Sequence, residues 1–199
     1  MKQVAFLIIL FIFTTTMKSQ ENELHDNTPY FEVPNYDNEV YTAGSVAARM
    51  VDGLGFRFRW ATENLMEEDL NYKPNEESRS IGETIEHILG LSRVIVNSTL
   101  KLKTDVTKEQ PILSYAEKRN EALKNLKKAS DILKRTTDLA SFKIEFVSAN
   151  GTSEYPFWNQ INGPIADAIW HAGQIASFRR TSGNPISSKV QFLQGTIKN

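Results

Sequence analysis

Four stretches of this chain repeat apolar residues at three- and four-residue spacing, and that period constrains the fold more than any other feature. Residues so spaced share one face of a helix, whereas a strand would send them to both sides. Residues 42–70 place Met50, Leu54, Phe58, Ala61 and Leu65 on one face, with Ser45, Arg49, Asp52, Arg59 and Glu63 on an expected wet side. Pro74 ends this pattern. Ser80 with Glu83 three residues on forms a capping box, which opens a second helix over 80–101 with Ile81, Ile85, Ile88, Leu89, Ser92, Ile95 and Val96 facing inward. Glu86, Arg93 and Asn97 mark its solvent side. The third helix, 114–137, carries Tyr115, Leu123, Leu126, Ala129 and Leu133 on its stripe; its lysines are interleaved with Glu117, Glu121 and Asp131, the mark of a solvated face. The last helix has Trp158, Ile161, Ile165, Ile169, Ala172 and Ala176 on its apolar face. Pro164 lies inside this run, so the spacing predicts either a start capped by Asn162 or a kink. Gly183-Asn184-Pro185 ends it.

One short segment breaks the helical period. Phe142, Ile144 and Phe146 alternate with Lys143 and Glu145, and Asn150-Gly151 supplies a turn, which predicts a small hairpin between the third and last helices. The expectation is therefore an all-α fold, a four-helix bundle over 42–185 with one β-hairpin. An irregular leader (20–41), broken by Pro29 and Pro34 and holding a solvated His25, precedes it, and a patternless tail (186–199) follows.

The N-terminus speaks to compartment. Lys2 precedes an unbroken apolar run over 4–13 and a polar stretch to Gln20, the layout of a secretory signal peptide spanning 1–19. The run is too short for a membrane span, which needs about 20 apolar residues. Removing Lys2 and Lys18 leaves 21 basic against 24 acidic residues, a net charge of −3. The chain is thus expected to be exported, periplasmic or secreted, with no integral span after processing. No basic stripe stands out, which argues against nucleic acid as a partner. There is no cysteine, so thiolate ligands, disulfides and a cysteine nucleophile are excluded.

Two histidines fall inside helices. Asp167 and His171 stand four apart in the last helix, on one face and about 6 Å apart at Cβ, close enough for a carboxylate and an imidazole to share an ion. His87, at the edge of the second helix's apolar arc, is directed inward and would supply a third ligand. Two imidazoles and one carboxylate leave positions open for water or substrate. Gln160 and Gln174 extend the polar stripe of the last helix. The plainer alternative is a solvated helix face beside a satisfied core histidine. Glu83, one turn before His87, is a candidate proton acceptor, and equally a simple helix cap.

The segments "IGETIEHILGLSR" and "IADAIWHAGQIASFRRTSGNP" resemble the DinB-like family of bacterial four-helix bundles. In that family one histidine sits in the second helix and an H-x-x-x-H pair, with Gln three residues on, sits in the last. The resemblance implies His87 and His171 as ligands of a divalent ion (zinc, nickel, iron or manganese), with Gln174 matching the trailing Gln and Asp167 replacing the remaining histidine. That replacement shifts preference toward oxygen-loving metals, or marks a branch that keeps the scaffold without the metal. Better-understood members resemble metal-dependent thiol transferases and isomerases; export argues against a thiol here, since oxidising compartments deplete such thiols. The function this implies is a metal-dependent hydrolase or transferase acting on a small molecule. Its rival is a metal-free module that binds a small ligand, a protein or a second copy as a homodimer, with Trp60, Trp158, Trp170 and Phe178 as lining candidates.

Overall fold

The computed structural model describes residues 28–36 and 41–198. The expected signal peptide, His25 and the first part of the leader lie outside the described residues. The protein is mainly helical, with a small sheet. Its elements are α1 (Ala43–Ala61), α2 (Glu67–Asn71), α3 (Ile81–Thr99), β1 (Thr104–Asp105), α4 (Tyr115–Leu133), β2 (Ile144–Ser148), β3 (Gly151–Tyr155), α5 (Phe157–Gln160), a π-turn (Ile161–Ile165), α6 (Ala166–Thr181), β4 (Val190–Gln191) and β5 (Thr196–Ile197). The long helices α1, α4, α3 and α6 pack in a ring, each against its two neighbours.

The apolar stripes meet at the centre of that ring. Leu54, Phe58, Ile81, Ile88, Leu123, Leu126 and Ile165 are all fully buried, and each large apolar side chain so placed contributes about 1.5–3 kcal/mol. Helix starts follow local chemistry: Ser80 and Ser114 accept from the backbone N–H of Glu83 and Glu117, whose carboxylates return to the serine N–H groups. Among the described residues the predicted hairpin is present, β2 pairing antiparallel with β3 across Asn150-Gly151, and β1 adds a parallel third strand.

Three sequence expectations are corrected. The first helix does not run to Leu70: it stops at Ala61, Asn64 adopts a left-handed φ of 55°, and the short α2 restarts where the Asp69 carboxylate accepts from the Met66 N–H at 3.0 Å. The supposed wet side of α1 is covered as well. Asp52 and Arg59 are buried because the described part of the leader straps across them. The Tyr36 hydroxyl donates to Asp52 at 2.5 Å, Arg59 donates to the Thr28 and Pro29 carbonyls, and Trp60 donates to the Phe31 carbonyl. Gly55 makes room for this strap, since a Cβ there would meet the Tyr30 ring at 2.3 Å. Finally, the tail is folded: β4 and β5 form a hairpin, which accepts from the Val33 N–H through Gly195 at 2.8 Å and sets Phe192 edge-on to Phe56.

The last helix departs most instructively from its expected form. Pro164 has no N–H for the Gln160 carbonyl one α-turn back, and the helix widens there into a π-turn, which inserts one extra residue per turn. Every position before the turn is thereby shifted by one against those after it. Phe157 and Gln160 are buried where straight α-periodicity would bury Trp158 and Ile161, and Trp158 is 64% exposed.

Candidate metal centre

α3 and α6 are neighbours in the ring, and that adjacency delivers His87 to the face of α6 bearing Asp167 and His171. His87 Nε2 lies 3.0 Å from Asp167 Oδ2, and His171 Nε2 lies 3.2 Å from Asp167 Oδ1. The two rings stand edge to face at 4.6 Å between centroids, 88° apart. Each residue offers one ligand atom, all within 4.8 Å of one another, so the cluster could hold a metal ion. The His171 side chain is 13% exposed, His87 30% and Asp167 38%, sheltered yet open to a small solute.

The donor set fits a cation. His171 Nδ1 lies 2.5 Å from Gln174 Oε1, which marks Nδ1 as the protonated nitrogen and fixes the ring's orientation, as outer partners do for metal-bound histidines. In the neutral ring Nε2 then presents a lone pair to a carboxylate oxygen. Two acceptors at that spacing need a proton or a metal ion between them. Bonds of about 2.0–2.2 Å at tetrahedral or octahedral angles put neighbouring ligand atoms roughly 3.0–3.5 Å apart, which matches both contacts; a pair at the 4.8 Å limit has to close by roughly 1.3–1.8 Å.

Other expected residues are placed elsewhere. The Glu83 carboxylate accepts from the Ser80 N–H at 2.7 Å. That backbone bond, with the Ser80 side chain, holds its carboxyl below the usual range, so Glu83 is committed to capping α3. Gln160 is not on the polar stripe: the π-turn rotates it inward, where its amide has no hydrogen-bond partner among the described residues. Trp170, next to His171, is 72% exposed and Trp158, before the π-turn, 64%, while Phe178 packs partly buried against the core.

Polar residues that spacing did not single out form a saturated network at the far end of α6. Arg179 donates to the Trp60 and Ala61 carbonyls, both at 3.0 Å, and to the backbone and side chain of Asn184, so it caps the C-terminus of α1. Burial lowers its pKa. Asp69 accepts from Ser182 and Asn184 at 2.6 and 2.7 Å. Burial alone would raise its carboxyl, but the Ser182, Asn184 and Met66 bonds with the Arg179 charge hold it below the usual range. Tyr115, pushed up to about 12 by burial, donates to the Thr62 carbonyl beside Arg119 and Glu63. The stop expected at Gly183-Asn184-Pro185 takes this form: Gly183, at φ 97°, closes α6 with Asn184 N–H bonded to the Arg179 carbonyl at 2.8 Å, a Schellman cap.

No protein-family model, curated protein or solved structure matches the chain.

Proposed function

We propose that the protein is an exported DinB-like four-helix bundle that holds one divalent metal ion between His87, Asp167 and His171 and acts on a small molecule by metal-assisted hydrolysis or group transfer. The observation that carries this is the Asp167 carboxylate set between two imidazoles, one of them oriented by Gln174. The ring of four helices and the order of the motifs support the family reading. The amino-terminal pattern supports export, and among the described residues no helix is long and apolar enough to cross a membrane.

His87 and His171 favour zinc, nickel or iron, and Asp167 adds tolerance for manganese. Such an ion supplies Lewis acidity. The residues would hold it on one side, Gln174 would keep His171 in its ligating tautomer, and the partial exposure of His87 and Asp167 leaves access for the small molecule. Glu83, engaged at the cap, takes no part in this reading. Elemental analysis of protein purified without a histidine tag tests it: about one ion per chain is expected, falling sharply in His171→Ala.

A second reading has its own observation. Trp158 and Trp170 are exposed on the terminal helix, and aromatic side chains of this kind are enriched where proteins bind partners. A folded, stable, metal-free protein would favour that interaction module.

A further inference from the structure

The side of α3 that spacing assigns to solvent is partly covered. The segment 103–110, which carries β1, borders it and forms with α4 and β2 an open cleft of about 660 Å³, a volume typical of small-molecule sites. Gly90 lines the cleft on α3 and is itself exposed; a Cβ there would meet nothing within 4 Å. Val94, Val106 and Phe146 supply apolar wall.

The polar groups are positioned rather than loose. Arg93 Nε donates to Glu121 at 2.6 Å and Nη1 to Gln110 at 2.7 Å, which fixes the guanidinium and leaves Nη2 without an acceptor among the described residues. Lys108, also on the lining, is 76% exposed and is only loosely paired, 3.9 Å from Asp105 Oδ2, while Asp105 Oδ1 accepts from Thr107. Of the three cations on the lining, Lys103 pairs with Glu145 at 3.2 Å, whereas Arg93 Nη2 and the loosely paired Lys108 keep capacity for a further acceptor. A wholly apolar occupant would desolvate Arg93 Nη2 with no compensating bond, and a polyanion would meet Glu121 and Asp105.

From this we infer that the cleft binds a small monoanionic amphiphile, an aromatic or branched carboxylate with its apolar body against Val94, Val106 and Phe146 and its charge at Arg93 and Lys108. The site goes beyond the metal reading and does not depend on it, although its lining begins at Gly90, one helical turn from His87.

The probe is 2-naphthoate, titrated into the full-length mature chain with and without chelator and followed by amide NMR shifts. Saturable shifts at Gly90, Val94 and Val106 are expected in both conditions. Gly90→Trp, which fills the cleft from α3, should weaken binding at least about tenfold, and Arg93→Met or the uncharged probe 2-naphthamide should each lose about tenfold. If Gly90→Trp fails to fold, Val106→Glu places a negative charge at an exposed rim position and should give a similar loss. No shift at millimolar probe, or binding indifferent to the filling or rim variant, overturns the site. Equal binding of the amide overturns the anionic class.

Discussion

The two ends of α6 use polar residues in opposite ways. Near its start, Asp167 and His171 meet His87 in a partly exposed cluster in which His171 Nε2 and an Asp167 oxygen face each other, joined only by what lies between them, a proton or a metal ion. Two turns later, Arg179 and Asp69 are buried in a network where every guanidinium nitrogen and both carboxylate oxygens have partners. The second arrangement leaves no valence for a ligand and ties α1, α2 and the C-terminus of α6 together. The first leaves one and ties little together. Saturation separates a structural polar cluster from a candidate site here, more than residue type does, since each contains an aspartate beside a cationic or cationisable partner.

Variants can test that contrast. Arg179→Met should cost the most, about 3–5 kcal/mol in denaturant unfolding, because it strands the buried Trp60 and Ala61 carbonyls and removes the positive charge beside Asp69; a loss under 1 kcal/mol would remove the distinction. Asp69→Asn should cost about 1–3 kcal/mol at neutral pH and change the acid limb. The folded-state pKa of Asp69 is depressed, so its contribution is complete above the unfolded value of about 3.9 and is lost as pH falls through the folded one. Stability measured below about pH 4 should therefore decline less steeply in the variant than in the parent.

At the other end, His171→Ala should change stability by less than about 1 kcal/mol while lowering metal content at least about tenfold. Equal metal content in this variant would place any ion elsewhere. The smallest structural effect is expected of Asp167→His, which should leave the melting temperature nearly unchanged and tighten zinc or nickel binding by roughly tenfold, since imidazole suits those metals better than a carboxylate. Titration calorimetry with each metal reads this directly.

The sequence disclosed these regions unequally. Helix starts at Ser80 and Ser114 were legible because capping is local, and the stripes of α3 and α4 because burial follows one uninterrupted period. His87, Asp167 and His171 could be singled out for the same reason: an i, i+4 pair after the π-turn keeps its phase, and one inward histidine remained to meet it. Gln160 lay across the π-turn, so its phase could not be carried over; Pro164 announced an irregularity without saying whether the helix would restart, kink or widen. The leader strap and the tail hairpin are held by distant contacts, Arg59 to Thr28 and Val33 to Gly195, which no local pattern encodes. The cleft over Gly90 escaped notice for a related reason: one of its walls is a loop, and Arg93 and Asn97 look like solvent residues until that loop borders them.

The claim that the open end of α6 is a metal centre is tested most directly by anomalous diffraction from crystals grown with zinc, nickel or manganese and recorded at the corresponding absorption edge. A single strong peak is expected within about 2.0–2.3 Å of one nitrogen of each imidazole and an oxygen of Asp167. Well-ordered His87, Asp167 and His171 with no peak among them would contradict it, and would leave the cluster as a hydrogen-bonded helix contact.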